Sequence, residues 1–102
     1  MTITNDTSVY VTARLCARPD TQAELQRELA ALTGPTRSED GCMRYDLYQQ
    51  PGQPGQFLFI EQWRSAHDLE RHLQQPHIQA FIQKSGDLLT EPMQIAQWQP
   101  VE

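Results

Sequence analysis

The chain has 102 residues, of which 38% are hydrophobic and 21% charged, and its formal net charge is −5 at pH 7. This length supports one domain with a modest core, and so small a domain is often only marginally stable without a partner. The eight lysines and arginines are scattered, so no basic stripe is available to neutralise nucleic-acid phosphates. No apolar run approaches the length of a membrane span. We therefore expect neither nucleic-acid nor membrane partners.

The first eight residues, MTITNDTS, lack the positive and apolar regions of a signal peptide. We expect a frayed tail over residues 1–8, a single domain over residues 9–102, and a cytoplasmic location. The two cysteines, Cys16 and Cys42, have no histidine or cysteine neighbour at metal-ligand spacing. In the absence of a secretion signal we predict two reduced thiols, with a disulfide between strands as the alternative.

Alternating apolar residues predict a first strand over residues 9–17, and leucines at helical spacing predict a helix over residues 21–38. The Gly34-Pro35 pair leaves two alternatives for the end of this helix. It stops at Thr33, or it kinks and continues to reach Glu39.

Alternation returns over residues 42–50, where we expect Tyr45 to share a face with Met43 and Leu47. The segment PGQPG (residues 51–55) carries hairpin turn signals. Residues 56–63 are apolar on both faces, which predicts a central strand.

The remainder of the chain predicts a second helix and a last strand. Ser65 caps the helix, Pro76 restarts it, Ser85-Gly86 ends it, and a short strand covers residues 93–98. The order β-α-β-β-α-β predicts an α+β ferredoxin-like fold, an antiparallel sheet with helices on one face. Because the other face still carries apolar side chains, we expect a second copy to cover it, giving a homodimer and a closed barrel.

Three segments carry a resemblance to a known family: EDGCMRYDLY (residues 39–48), FIEQWRS (residues 59–65), and His72 with Pro76-His77. Over residues 9–98 the chain resembles the antibiotic biosynthesis monooxygenase branch of the dimeric α+β barrel superfamily. That branch includes cofactor-free quinol and anthrone monooxygenases, haem-degrading enzymes and an isomerase of a phosphorylated signalling sugar. The haem-degrading members carry an asparagine in the first strand, where this chain has VTAR (residues 11–14). We therefore expect no haem and no other cofactor.

The resemblance places Glu61 and Trp63 on the family's Glu-x-Trp motif, and His72 and His77 on its helix histidines. His72 borders the buried face of its helix, where an imidazole with an ordinary pKa near ~6.5 can act as a general base. The alternative is a structural histidine that hydrogen-bonds Glu61. Tyr45 offers a hydroxyl to a substrate oxygen or, alternatively, to a partner in the core. We predict His72, Trp63, Tyr45 and Glu61 as catalytic residues.

Glu61 lies among aromatic residues, so its carboxylate needs a partner such as His72, Arg44 or Arg64. As substrate-binding residues we predict His77, Phe59, Arg44 and Phe81. His77 lies in the first turn of the restarted helix, where the helix dipole disfavours a positive charge, and an exposed capping role is its alternative. The two histidines are five residues apart across a proline and do not share a helix face, so we predict no metal site.

Three functions are compatible with these residues. The first is a cofactor-independent monooxygenase that deprotonates a small electron-rich aromatic, a quinol or an anthrone-like ring, for reaction with O₂. The second is an isomerase or lyase that uses the same base on a small oxygenated metabolite. The third is a dimeric module that binds a ligand without reaction.

Overall fold

A computed structural model describes residues 7–102 and contains four strands and three helices. They are β1 (Val9–Cys16), α1 (Gln22–Arg37), β2 (Cys42–Gln50), β3 (Gln53–Trp63), α2 (Ala66–Leu73), α3 (Pro76–Leu88) and β4 (Gln94–Trp98). The predicted α+β ferredoxin-like fold is confirmed, with the second predicted helix divided into α2 and α3. Of the predicted tail, residues 1–6 lie outside the described residues, and Thr7 and Ser8 precede β1.

The four strands form one antiparallel sheet in the order β2-β3-β1-β4, so β3 is central, as predicted. Alternate side chains of β1 and β3 face the helices and are buried, because successive residues of a strand point to opposite faces. Leu25 and Leu29 of α1 pack against them and are completely buried. The functional side chains described below lie between the sheet and the helices.

Helix α1 continues through Gly34-Pro35 and ends at Arg37, so the alternative of a helix that stops at Thr33 is wrong. Packing explains the extra turn: Thr36 is 0% exposed, and its hydroxyl has partners in the core. Glu39 follows the C-cap residue Ser38, and its backbone N–H donates to the Thr36 carbonyl.

A β-bulge at the start of β2 changes which side chains face the core. Cys42 pairs with Trp63, and Arg44 pairs with Gln62, the neighbour of Trp63 in β3. Met43 is therefore the extra residue of β2. Met43 is consequently 57% exposed, and the prediction that it points with Tyr45 is wrong. Cys42 takes the inward place beside the core instead.

Two predicted boundaries also differ from the structure. Strand β3 begins at Gln53 instead of residue 56, because the hairpin turns on Pro51-Gly52 with Gly52 at φ 75°. Helix α3 passes Gly86 and ends at Leu88, a buried residue whose packing outweighs the low helix propensity of glycine.

Both cysteines are free thiols, as predicted, and they lie opposite the two ends of β3. Burial, together with the nearby charges of Glu39 and Glu61, raises the pKa of Cys42 to about 11, so this thiol stays protonated. Among the helices of residues 7–102, none is both long and apolar enough to cross a membrane.

Candidate active site

A cavity of about 110 Å³ lies between the helix-facing side of the sheet and the helices. Most of its lining is apolar, and the polar side chains that line it are Tyr45, Glu61, His72 and Gln97. His72 and Glu61 are only 3% and 5% exposed. An apolar pocket with a few convergent polar groups is the usual form of a small-molecule site.

The polar end of the cavity is organised by Glu39. Its Oε2 lies 2.8 Å from Nδ1 of His72 and 2.9 Å from Nε2 of His77. Because a carboxylate only accepts hydrogen bonds, both ring nitrogens donate to it. This arrangement assigns the lone pair of His72 to Nε2, the nitrogen that remains available to a molecule in the cavity.

The turn that carries Glu39 is held on the start of α2. Gly41 adopts φ 89°, and its carbonyl accepts from the backbone N–H of Arg64 at 2.8 Å. Two arginines join this turn to the buried carboxylate of Asp68: Arg64 and Arg71 lie 2.9 and 2.8 Å from its Oδ1 and also 3.3 and 3.4 Å from Oδ2 of Asp40 in the turn. Hydrogen bonds from Arg64 and from Ser65 hold the pKa of Asp68 below its usual range, so its charge persists here. The ion pairs thus position Glu39 without reaching the cavity.

Glu61 accepts a hydrogen bond from the indole N–H of Trp63 at 2.9 Å through its Oε1. Burial raises its pKa to about 7, and the charge of Glu39 adds to the rise, whereas the indole bond opposes it. Near neutral pH a substantial fraction of Glu61 is therefore a neutral acid that can donate a proton. Burial lowers the pKa of His72, and Glu39 partly offsets this effect.

Tyr45 forms part of the cavity wall, and its ring stacks on Phe59 with centroids 4.5 Å apart. The Thr36 side chain hydrogen-bonds its hydroxyl and also lies 3.2 Å from Nε2 of His77. Burial raises the pKa of Tyr45, so the hydroxyl stays protonated. The Tyr45 hydroxyl thus has a hydrogen-bond partner within the core, which is the second of the two alternatives that the sequence left open.

The structure assembles five of the eight predicted site residues around the cavity: His72, Tyr45, Glu61, Phe59 and Phe81. Trp63 is completely buried behind them, with its ring 4.4 Å from that of His72. His77 stands outside the lining and connects to it through Glu39, which bonds His72, and through Thr36, which bonds Tyr45.

Arg44 does not reach the cavity, in contrast to the prediction. It lies on the opposite face of the sheet, where it bonds Asp46 at 2.6 Å and the Tyr48 hydroxyl at 3.1 Å. The proposed pairing of Glu61 with Arg44, Arg64 or His72 is also wrong. Trp63 is the hydrogen-bond partner of Glu61 instead, because side chains two residues apart on a strand share one face.

Sequence reasoning missed two polar residues of the site, Glu39 and Thr36. The available signal was Glu39 itself, the first residue of the family-like segment and the end point of the longer alternative for α1. The spacing argument against a metal site considered a single helix, so it did not cover the arrangement that the structure shows. His72 and His77 belong to different helices, and their nitrogens converge on the Glu39 carboxylate.

Fold and site together define a small α+β protein with a carboxyl group and an imidazole on one apolar cavity. The chain belongs to the antibiotic biosynthesis monooxygenase family, whose sequence profile matches residues 8–84. It is 37% identical over 94 residues to Rv0793 of Mycobacterium tuberculosis, whose name proposes monooxygenase activity, and the match covers 92% of each chain.

Two further proteins are similar to most of this chain. The crystal structure of PA3566 from Pseudomonas aeruginosa is 36% identical and superposes with a TM-score of 0.89, covering 94% of this chain and 96% of that one. The sll1783 protein of Synechocystis is 34% identical over 90 residues. The matched region is 88% of this chain but only 61% of the Synechocystis protein.

Proposed function

We propose that this chain is a cofactor-independent monooxygenase that oxidises a small electron-rich aromatic, a quinol or an anthrone-like ring, with O₂. The observation that carries the proposal is the convergence of His72 and Glu61 on one apolar cavity. Membership of a monooxygenase family supports oxygen chemistry as the reaction class.

The cavity is somewhat smaller than one that holds benzene, so an aromatic ring would extend toward its exposed side. A protein cavity of ~150 Å³ holds benzene, and the cavity of about 110 Å³ opens beside Ile82 and Ile95, which are 42% and 53% exposed. One ring can lie against Phe59 and Phe81, with the remainder of the substrate toward this opening.

In this mechanism His72 removes the proton that activates the substrate. Its Nε2 accepts the proton, while Glu39 holds Nδ1–H and stabilises the imidazolium that forms. A phenol of pKa near ~10 and a histidine near ~6.5 differ by about 5 kcal/mol, and burial of His72 widens that difference. The site must therefore stabilise the substrate anion.

Protonated Glu61 is the group that we assign to this stabilisation. Its Oε1 is engaged by Trp63, which leaves the other oxygen to carry the proton and donate toward the anionic oxygen. The deprotonated ring then transfers electrons to O₂ directly. For an anthrone, the methylene loses two hydrogens, one oxygen atom becomes the new carbonyl, and the other leaves as water.

The test is oxygen uptake by chelator-treated protein with a panel of hydroquinones, naphthoquinols and anthrones. We expect uptake above autoxidation and above a heat-denatured control. His72→Ala should lower it by about 10²–10⁴-fold, the usual contribution of a general base. His67→Ala, an exposed histidine on the same helix, is the matched control and should retain the rate. Equal loss in both variants would remove His72 from the mechanism.

An isomerase or lyase is the second candidate, because a base and a neutral acid on one cavity can also move a proton between two substrate atoms. This reaction consumes no O₂. Turnover that persists at full rate under anaerobic conditions would favour it over the monooxygenase. Binding of the aromatic panel without turnover in air or without O₂ would instead favour a ligand-binding module.

We further propose that the chain acts as a homodimer through the outer face of the sheet. On this face, Leu58 and Ile60 of the central strand β3 remain partly exposed. At its edge Trp98 is 60% exposed, and all five residues of β4 are exposed. A second copy would bury this apolar surface, as the resemblance to dimeric barrels implies.

A further inference from the structure

We infer that Glu39, His72 and His77 form a binding site for a divalent first-row transition-metal ion. This site shares His72 with the substrate cavity but uses the other ring nitrogen, Nδ1, and it goes beyond the proposed function. Its three ligating atoms, Oε2 of Glu39, Nδ1 of His72 and Nε2 of His77, all lie within 4.8 Å of one another.

The distance from Glu39 Oε2 to each histidine nitrogen matches metal coordination, and the two nitrogens, which lie within 4.8 Å of each other, must be no more than about 4.2 Å apart to share one ion. Oε2 of Glu39 lies 2.8 and 2.9 Å from the two nitrogens. If each atom lies ~2.0–2.1 Å from a central ion, such separations correspond to angles of about 90° at the ion. This is the angle between adjacent ligands in six-coordinate geometry, with the remaining positions left to water. A tetrahedral site would require each of the two Oε2–nitrogen separations to grow by about 0.5 Å.

The chemistry of the donors selects the kind of ion. Two imidazoles and one carboxylate suit zinc, iron, cobalt and nickel, whereas magnesium and calcium prefer oxygen ligands alone. Both cysteine thiols lie outside the cluster. We therefore expect binding of Zn²⁺ and Co²⁺ through nitrogen and oxygen, without a thiolate.

Charge and access also favour a cation at this place. The Glu39 side chain is 9% exposed, and among residues 7–102 its ion-pair partners are the two histidines, with no arginine or lysine. A buried carboxylate without a full positive partner is unfavourable, and a divalent ion would compensate it. The side chain of His77 is 22% exposed, so an ion can enter from solvent beside it.

Binding requires a change in the imidazole tautomers. The protons that now bridge to Glu39 must leave the two ligating nitrogens, and each neutral ring can carry its proton on the other nitrogen instead. The polypeptide needs only small side-chain adjustments, because the ligands come from the ends of packed helices.

The experiment uses the full chain after treatment with a chelator. Co²⁺ is titrated while its visible absorption is recorded, and Zn²⁺ is then added to displace it. We expect saturation at one ion per chain, no thiolate charge-transfer band, and displacement by Zn²⁺. In the same wild-type protein, NMR should show the ring-proton signals of His72 and His77 moving with Zn²⁺, while those of exposed His67 stay in place.

Variants test the ligands individually. Loss of a group that merely supports a ligand costs about 10–100-fold in affinity, so Glu39→Gln and His77→Gln should each cost at least as much. His67→Gln is the matched control and should bind as the wild type does. Circular dichroism and thermal unfolding show whether each variant is folded, and the wild-type NMR result depends on no variant. The inference is overturned by the absence of saturable binding, by a thiolate band, or by binding that survives both ligand substitutions.

Discussion

Glu61→Gln should stabilise the protein, and it should do so more at high pH than at low pH. Glu61 is 5% exposed, and burial raises its pKa from 4.5 to about 7. The folded state therefore holds this proton more tightly than the unfolded state does. As the pH rises from about 4.5 to about 7, the unfolded state releases the proton first, so folding stability falls.

The magnitude follows from the size of the shift. One pKa unit corresponds to about 1.4 kcal/mol, so a rise from 4.5 to about 7 costs the folded state about 3 kcal/mol once Glu61 is ionised. Glutamine has similar size, cannot ionise and can still accept the indole hydrogen bond of Trp63. The stability difference between Glu61→Gln and the wild type should therefore be about 3 kcal/mol larger at about pH 8 than at about pH 4.

Urea unfolding of both proteins at the two pH values measures this difference. The comparison is needed because His72 acts in the opposite direction: its pKa is lowered, so its contribution is lost as the pH falls through about 6.5. Both proteins carry His72, so its contribution largely cancels. Glu70→Gln, at an exposed position on α2, is the control and should show no such change with pH. Equal stability differences at both pH values would refute the assignment of a raised pKa to Glu61.

Three further predictions follow from the same structure. Gly41→Ala should destabilise the fold by at least about 1–2 kcal/mol in urea unfolding, because φ is 89° and the new Cβ would lie 2.7 Å from that of Asp68. Gly34→Ala, with open space around it inside α1, should be neutral or stabilising by up to about 1 kcal/mol. Equal losses of stability in Gly41→Ala and Gly34→Ala would contradict this reasoning. Ile60→Asp should convert the proposed dimer to a monomer, as measured by light scattering, whereas Gln83→Asp on the exposed side of α3 should leave it dimeric. A monomeric wild-type protein would exclude the dimer. Turnover should decline above about pH 7 as Glu61 ionises and also at low pH as His72 is protonated, so a rate that keeps rising above pH 7 would exclude Glu61 as the donor.

The fold was predictable because local patterns encode each element. Alternation marks β1 and β2, a run that is apolar on both faces marks β3, and Ser65 and Pro76 start α2 and α3 where the sequence places them. These signals involve neighbours within a few residues, which periodicity detects. Local patterns failed where packing decides the outcome: the bulge at Met43 inverts one side chain without any change in composition.

The site was predicted only in part, for a related reason. His72, Glu61 and Tyr45 were identified from their faces on single elements and from the family resemblance. Glu39 bonds both histidines because the ends of three helices meet beside it. The spacing of these residues along the chain does not predict that they come together. Arg44 was misplaced because it pairs with Gln62 and not with Glu61, so its side chain points to the outer face of the sheet beside Asp46.

The two proposals meet at His72, where they require different protonation of the same ring. As a base, His72 donates Nδ1–H to Glu39 and accepts at Nε2; as a metal ligand, it binds through Nδ1 and carries its proton on Nε2. An occupied metal site should therefore prevent proton removal from the substrate. We expect Zn²⁺ to inhibit turnover over the concentration range in which it binds.

Zinc inhibition therefore separates the two proposals. In His77→Gln, turnover at whatever rate remains should not respond to the same zinc concentration, because the ion has lost a ligand. If NMR shows zinc on His72 while turnover continues unchanged, the metal site stands and His72 is not the base. If zinc does not bind and His72→Ala still abolishes oxygen uptake, the base stands and the metal site fails. In a neutral imidazole one nitrogen carries the proton and the other carries the lone pair. The lone pair of His72 therefore lies either on the nitrogen that faces Glu39 or on the nitrogen that faces the cavity, so the two functions exclude each other.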